Sequence, residues 1–247
     1  MTNIISIATA VPQWCHEQND ILQFMQQAYN LDATDKRKLS FLYHHSGIEK
    51  RYSVLKDFSL PPQQWQFINV ESSEATSLNT RMKLYKEHAL PLSLQAAQNC
   101  LEQLNDDINI THLITVSCTG MSAPGLDLEL MEALKLAPSI FRTSVNFMGC
   151  YAGIHALKLG KMICDSTPNA NVLIVATELC TLHFQQDYTL DNAASSLLFA
   201  DGSAALLISN DEKRTPLASI DHFHSHIAFF GKKDMAWEIS NTGFLMT

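Results

Sequence analysis

The first part of the chain has a short alternating segment followed by apolar residues at helical spacing. Residues 3–10 alternate β-branched and small side chains and end near Pro12, which predicts a strand closed by proline. Over 18–29 the apolar side chains recur at intervals of three and four. Polar residues at the start of this range, Asn19 and Asp20, can cap the first turn of a helix. This pattern predicts a helix, and a second helix is predicted over 35–44. Residues 53–78 hold no period and are predicted to form a surface loop.

From residue 79 onward helices alternate with strands. Residues 79–104 are helical by period, and Pro91 is expected to break or kink them. Strands are predicted over 112–118, 143–148, 171–179, 202–209 and 217–230, with helices over 126–136 and 152–165 and after Asp191. Strands that alternate with helices of this length indicate βαβ units and a parallel sheet covered on both faces. The sequence therefore predicts an α/β fold.

Composition and charge narrow the class of protein. With 247 residues, 46% hydrophobic and 17% charged, the chain is long enough for one large domain or two small ones, and disordered or fibrous classes are excluded. The formal net charge of −8 argues against nucleic acid or an anionic membrane as the main partner.

The first residues form no signal peptide and no apolar run is long enough to span a membrane, so we expect a cytoplasmic protein. The 6 cysteines form no C-x-x-C pair, which favours free thiols over disulfides or a metal site.

The segment N-F-M-G-C-Y-A-G over 146–153 carries the strongest chemical signal. Its strand ends at Met148, Gly149 permits a tight turn, and Cys150 then stands in the first turn of an apolar helix. This is the outline of a nucleophile elbow. A thiol at a helix N-terminus meets the positive end of the helix dipole and free N–H groups, which favour the thiolate and can form an oxyanion hole. On these residues alone, a small buried cysteine in a strand-to-helix turn remains the alternative.

Other candidate motifs point to structure more than to chemistry. His222, His224 and His226 alternate, so on a strand they would share one face, but no acidic or thiol partner stands at useful spacing for a metal ion. A polar sheet face is the favoured interpretation. Asp201 with Gly202 is predicted to form a turn into a strand. The sequence contains neither G-x-G-x-x-G nor a P-loop motif, so it gives no support for a dinucleotide or nucleotide site.

Five segments carry a resemblance, in order and spacing, to a known family. They are SGIEKRY over 46–52, CTG with APG over 118–125, GCYAG over 149–153, ATEL over 176–179 and LFADGSAA over 198–205. Together they resemble the chalcone-synthase-like type III polyketide synthases. The resemblance implies a thiolase-like αβαβα layered fold, with its first half complete over 1–210 and its second half only begun over 211–247.

The resemblance also implies a reaction and a set of site residues. In such enzymes a cysteine, here Cys150, takes an acyl group from a coenzyme A thioester. Decarboxylative condensation with malonyl-CoA extends it, and cyclisation gives a pyrone, resorcinol or chalcone-type ring. The thioesters are substrates, no cofactor is implied, and the partner is a second copy of the chain. By position, Phe199 and Phe244 match two aromatic residues at the cavity, Ala123 lies on the loop that reaches the partner subunit, and Lys38 matches a residue that holds coenzyme A phosphates. The remaining cavity-lining positions fall on Cys118, Thr119, Cys180, His183, Ser195 and Met235.

Several of these positions depart from the plant pattern. Cys118, Cys180 and His183 stand where threonines are usual, Ala123 where a methionine is, and Ser195 and Met235 where glycines are. Cavity volume and polarity therefore differ, so starter and ring type cannot be copied from chalcone synthase. We expect a bacterial-type enzyme with its own starter.

The chain is shorter than the members of this family. Their catalytic histidine and asparagine lie in the second half of the fold, and no histidine of this chain follows Phe244, so no residue here is assigned those roles. We expect a truncated sequence. One alternative is another thiolase-superfamily condensing enzyme, such as ketoacyl synthase III or hydroxymethylglutaryl-CoA synthase. A non-catalytic scaffolding half-fold is another, and an unrelated cysteine hydrolase is a third.

An incomplete second half predicts a measurable solution behaviour. Because a partial sheet layer leaves apolar surface exposed, we expect the 247-residue chain alone to be poorly soluble or strongly oligomeric. Size-exclusion chromatography with light scattering tests this expectation. A well-behaved monomer would contradict it.

Overall fold

The computed structural model describes residues 1–68, 75–104, 106–231 and 236–246. The chain forms two compact units, each assembled from three segments. The first unit comprises Met1–Ala10, Lys86–Glu178 and Gly202–Gly231, and the second comprises Val11–Tyr85, Leu179–Asp201 and Lys232–Thr247. The predicted boundary between 210 and 211 stays a prediction.

The predicted helices occur in the predicted order, as do most of the predicted strands, whereas four short strands, over 14–17, 50–53, 237–240 and 243–246, were not predicted. The strands are β1 (Asn3–Ala10), β2 (Trp14–Glu17), β3 (Lys50–Ser53), β4 (His112–Ser117), β5 (Phe141–Asn146), β6 (Asn171–Leu179), β7 (Asp201–Ser209), β8 (Ala218–Ser219), β9 (Trp237–Ser240) and β10 (Gly243–Met246). The helices are α1 (Gln18–Ala28), α2 (Ala33–His45), α3 (Leu78–Leu101), α4 (Leu126–Ala133), α5 (Tyr151–Ser166) and α6 (Leu190–Leu198). Short 3-10 turns cover Asp57–Ser59, Pro62–Gln64, Cys180–His183 and Phe229–Gly231.

A mixed sheet of order β5-β4-β6-β7-β1-β8 organises the first unit. Strand β4 runs parallel to β5 and β6, whereas β1 runs antiparallel to β7 and β8. The prediction of a parallel sheet is therefore right for β4, β5 and β6 and wrong for β1. Helices α4 and α5 link the three parallel strands and set their common direction, whereas no helical crossover joins β1 to β7 directly, so nothing in the chain order fixes its direction.

The core of the first unit lies between the parallel strands and α5. Five of the six residues of β4 are buried, as are most residues of β6, which is the pattern of central strands covered on both faces. Helix α5 buries a stripe of small side chains at intervals of four, namely Ala152, Ala156, Gly160 and Cys164. At Gly160 an added Cβ would lie 2.9 Å from Cδ1 of Ile208. The small residues therefore let α5 lie close against the sheet.

Pro91 does not break its helix, because α3 runs through it from Leu78 to Leu101, and the alternative of a kink stays a prediction. A proline inside a helix removes one backbone hydrogen bond and strains the preceding turn. The residues on either side bury a continuous apolar face, which comprises Ala89, Leu92, Ala96, Ala97 and Cys100. We infer that this burial outweighs the local cost of Pro91.

The strand predicted over 217–230 is wrong beyond its first residues. Only Ala218–Ser219 pairs with the edge of β1, and the chain then runs without regular structure to the 3-10 turn at Phe229–Gly231. The three alternating histidines of this segment share no strand face and are exposed. Polar residues between its apolar ones leave too little burial to hold a longer edge strand. Among the described helices, none has the length and apolar character to cross a membrane.

Replacement of a central core residue should destabilise the first unit strongly. Leu173 in β6 is fully buried, so Leu173→Ala should lower the free energy of unfolding by about 2–5 kcal/mol through lost burial and a residual cavity. Leu217 of the same unit is 63% exposed, and Leu217→Ala should cost about 0.5 kcal/mol or less. Chemical denaturation of both variants measures the difference. Equal losses would contradict the assignment of the core.

Candidate active site

Cys150 lies on a sharp turn between β5 and α5. It is the N-cap residue of α5 and is exposed. On its N-terminal side, Phe147 and Gly149 adopt left-handed backbone conformations, with φ of 55° and 62°. This conformation is easy for glycine and unfavourable for an aromatic residue, so the turn holds strain at Phe147. The exposure of the thiol favours the nucleophile elbow over the alternative of a buried structural cysteine.

Two predicted site residues, Cys118 and Thr119, follow the end of β4 in the same unit. The half-buried Cys118 donates from Sγ to the carbonyl oxygen of Gly149, 3.7 Å away. Burial raises the pKa of the Cys118 thiol, and the negative charge of Glu178 raises it further. Cys118 is therefore held as a protonated thiol and is unsuited to act as a nucleophile.

Glu178 joins the ends of β4 and β6. Its carboxylate accepts hydrogen bonds from the backbone N–H of Cys118 at 2.8 and 3.0 Å and from the hydroxyl of Thr119 at 2.7 Å. Burial raises the pKa of Glu178 to about 7, although these hydrogen bonds oppose the shift. The cluster therefore stands at the carboxyl ends of parallel strands, where α/β sheets place their ligand sites.

Ala123 lies in an exposed segment that leads into α4. Its peptide bond to Pro124 is cis. Gly125 is the N-cap residue of the helix, and a Cβ there would lie 2.7 Å from Oδ1 of Asp127, so a larger residue would have to displace that side chain. Asp127 in turn pairs with Arg142 of β5. The proposed contact of Ala123 with a partner subunit stays a prediction.

A cavity occupies the second unit. Its lining includes five of the residues predicted from the sequence, namely Cys180, His183, Ser195, Phe199 and Phe244. Further walls come from α1 and from the strands β2 and β3. Met235, also predicted to line the cavity, falls outside the described residues. The structure thus brings together residues that lie more than sixty positions apart in the sequence.

His183 and Phe244 form the most ordered contact in this lining. Their rings are stacked with centroids 4.2 Å apart and planes at 7°. The backbone N–H of Phe244 donates to Nδ1 of His183 at 3.0 Å. Because that nitrogen accepts a hydrogen bond, the ring is neutral in this arrangement and carries its proton on Nε2. The pair fixes β10 against the 3-10 turn at Cys180–His183.

Two buried ionisable groups hold this turn in place. The carboxylate of Asp201 accepts from the N–H of Thr181 at 2.9 Å, from its hydroxyl at 2.6 Å and from the N–H of Val54 at 2.8 Å. Burial raises the pKa of Asp201 to about 6. Arg81 donates to the carbonyl oxygens of Leu182 and Phe184, and burial lowers its pKa to about 10. Asp201, predicted to start a turn, instead begins β7 as a buried acceptor.

Lys38 is not among the residues that line the cavity. It lies on the exposed surface of α2 and forms an ion pair with Asp35 at 2.9 Å. A role in holding phosphates therefore stays a prediction. In the described parts of the chain, no group of three or more histidine, cysteine, aspartate or glutamate side chains is placed to bind a metal ion.

Comparison with known proteins decides the family. Residues 1–212 match the family model of the N-terminal domain of chalcone and stilbene synthases. The chain belongs to the chalcone and stilbene synthase family. As a family member it is 27% identical over 244 residues to "Probable polyketide synthase 1" of Dictyostelium discoideum, an alignment that covers 98% of this chain and 8% of that protein. The chain thus spans a small part of that relative's length.

Two solved structures of type III polyketide synthases share the fold of this chain. The C-terminal type III polyketide synthase domain of "Steely1", a type I/III hybrid from Dictyostelium, superposes with a TM-score of 0.90 at 26% identity, covering all of this chain and 67% of that one. PKS-I from the brown alga Ectocarpus siliculosus gives the same TM-score and identity and is covered to 66%. These likenesses confirm the predicted α/β fold.

The sequence analysis missed Glu178, Arg81 and the buried role of Asp201. Glu178 had a usable signal, because a carboxylate near the carboxyl end of a buried strand stands at the sheet edge where the elbow also stands. Most partners of Arg81 and Asp201 are far away in the sequence, and no residue pattern indicates such hydrogen bonds.

The raised pKa of Glu178 predicts a pH dependence of stability. In the unfolded chain this carboxyl ionises near 4.5, whereas in the folded chain it stays protonated until about 7. Its favourable contribution is therefore present below pH 4.5 and is lost as the pH rises through 7, a change of about 3 kcal/mol. Relative to Glu178→Gln, the wild-type free energy of unfolding should fall by that amount between pH 4.5 and 8.

Denaturant titrations at several pH values measure this difference. Glu102→Gln, at an exposed position just after α3, is the matched control and should track the wild type. Parallel pH profiles for wild type and Glu178→Gln would contradict the assignment.

Proposed function

We propose that the chain carries the acyl-loading chemistry of a type III polyketide synthase, with Cys150 as the nucleophile. The observation that supports this most directly is the exposed thiol of Cys150 on a strained strand-to-helix turn. The other cysteine of the same cluster, Cys118, is half-buried and has a raised pKa. Membership of the chalcone and stilbene synthase family supports the same reaction class.

The proposed loading step is an exchange of thioesters. The thiolate of Cys150 attacks the carbonyl carbon of an acyl-CoA starter, the C–S bond to coenzyme A breaks, and the coenzyme A thiolate leaves and takes up a proton. N–H groups in the first turn of α5 are proposed to stabilise the oxyanion that forms in between, other than that of Ala152, which donates to the carbonyl oxygen of Gly149 at 3.0 Å. Malonyl-CoA then loses carbon dioxide, and its carbanion attacks the Cys150 thioester and releases the thiol. Cyclisation of the extended chain gives a pyrone, resorcinol or chalcone-type product. No residue of this chain is assigned the roles of the family's histidine and asparagine.

The remaining predicted residues have proposed roles in substrate binding. Cys180, His183, Ser195, Phe199 and Phe244 line the cavity, and Cys118 and Thr119 lie beside the elbow. Lys38 is proposed to contact coenzyme A phosphates, and Ala123 to contact the second subunit of a homodimer. The departures from the plant pattern support a starter peculiar to this enzyme, as expected for the proposed bacterial type.

Acylation of Cys150 is the test of this function. Incubation of the 247-residue chain with hexanoyl-CoA should add one acyl group, measured by intact-mass spectrometry and located by peptide mapping. Cys150→Ala should abolish the adduct, because the attacking sulfur is removed. Cys15→Ala is the matched control, since Cys15 is the other exposed cysteine, and it should leave the adduct unchanged.

Two outcomes would overturn the proposal. One is an acyl adduct that persists in Cys150→Ala, and the other is loss of the adduct in Cys15→Ala. Release of carbon dioxide from malonyl-CoA, followed separately, reports on the condensation step.

A further inference from the structure

Arg51 brings a positive charge to the cavity of the second unit, and no carboxylate among the described residues is paired with it. It lies on β3 opposite His16 of β2, and both residues line the cavity together with Ser53. The guanidinium is partly buried, and its Nε is buried without a hydrogen-bond partner. It forms no ion pair with any carboxylate in the described ranges. At Nε the guanidinium has lost contact with water, and no acceptor in the described residues replaces that contact.

The other polar groups of the cavity do not balance this charge. The described lining residues include no aspartate and no glutamate. His16 has hydrogen-bond partners at both ring nitrogens, Ser59 at 2.5 Å and the carbonyl of Leu55 at 2.9 Å, and burial lowers its pKa. Asp201 is buried, and its carboxylate oxygens already accept hydrogen bonds from the N–H and the hydroxyl of Thr181. Arg51 is therefore the single formal charge in the described part of the lining.

The rest of the wall is mainly aromatic and aliphatic. It includes Ile21, Met25, Phe58, Phe184, Phe199, Trp237 and Phe244. The surface of the cavity therefore favours an apolar body. One positive charge matches one carboxylate, which guanidinium binds in a bidentate geometry. A phosphate monoester carries nearly two negative charges and would leave one of them unbalanced in an apolar surrounding.

We propose that this cavity binds an apolar molecule that ends in a carboxylate, with the carboxylate paired to Arg51 and the apolar body against the aromatic wall. The assignment of the cavity to substrate rests on the proposed function, whereas the binding itself does not. Two sources share this chemistry. The carboxylate belongs either to the far end of an acyl-CoA starter or to a free acid such as a released product.

Binding of two matched probes tests the site without turnover. Octanoate and octanamide have the same chain and differ in charge at one end. By isothermal titration calorimetry octanoate should bind the wild-type chain at least about tenfold more tightly, the effect of one charge-assisted hydrogen-bonded pair. Equal affinities for the two probes in the wild type would overturn the proposal, whatever the variants do.

Three variants locate the charge. Arg51→Gln should remove the preference for octanoate, and Arg51→Lys should keep part of it, because an ammonium lacks the planar fork of donors. Arg37→Gln is the matched control, since Arg37 is exposed on α2 of the same unit, and the preference should be unchanged. A preference that survives in Arg51→Gln, or that disappears in Arg37→Gln, would overturn the assignment. Circular dichroism of each variant checks that it is folded.

The rate of Cys150 acylation distinguishes the two sources. Adipoyl-CoA and hexanoyl-CoA have acyl chains of equal length, and only the first ends in a carboxylate. If the starter supplies the carboxylate, Arg51→Gln should lower the second-order rate constant for acylation by adipoyl-CoA about tenfold and leave that for hexanoyl-CoA nearly unchanged. If a free acid is the ligand, both thioesters should respond alike while octanoate inhibits the wild type only. Absence of any acylation, with the octanoate preference intact, would refute the proposed function and leave the binding site standing.

Discussion

The first unit depends on a carboxylate that is buried where three parallel strands end. Glu178 takes hydrogen bonds from the backbone after β4 and from the hydroxyl of Thr119. Without these donors the buried charge would cost several kcal/mol, and with them the carboxyl still has a pKa of about 7. The residue therefore ties the end of β6 to the end of β4, and Cys118 continues the connection to the carbonyl of Gly149. The elbow that carries Cys150 is anchored through this chain of polar contacts.

The second unit uses buried charges in two different ways. Asp201 and Arg81 are surrounded by backbone groups of opposite polarity, which compensate their burial and hold the turn at Cys180–His183. Arg51 has no such compensation among the described residues. A charge that fixes structure is expected to have its partners in the folded chain, whereas a charge that meets a ligand is expected to be short of them. The contrast within one unit is what singles out Arg51.

The sequence predicted most of the fold because its strongest signals are local. Runs of buried apolar residues identified β4 and β6, and the glycine before an apolar helix identified the elbow at Cys150. The direction of β1 could not be predicted, since strand pairing between distant segments leaves no local pattern. The strand predicted over 217–230 failed because alternation without burial does not hold an edge.

The residues of the site divide in the same way, into those with a local sequence signal and those whose properties depend on distant residues. Cys150 follows from its own neighbours, whereas Glu178 and Arg51 acquire their properties from residues brought close by folding. The residues of the cavity came from resemblance to a family, and no spacing in this chain would have grouped them. Charge compensation is a property of the folded surroundings, so a sequence shows which residues are charged but not which of them lack a partner.

The contact between His183 and Phe244 shows how a departure from the family pattern alters a site. A threonine at position 183 would have no ring to stack and no imidazole nitrogen to offer. The histidine accepts the backbone N–H of Phe244 and lies flat against its side chain, so both ends of the contact are fixed at once. Trp237, from the neighbouring strand β9, approaches the histidine ring edge-on. An aromatic side chain held by its own backbone and by a stacked neighbour loses most of its rotamer freedom, so the cavity has a firm wall at this position. A ligand must therefore fit the space that this wall leaves, since turning the Phe244 ring aside would lose the stacking, while the hydrogen bond of its backbone N–H keeps the main chain in place.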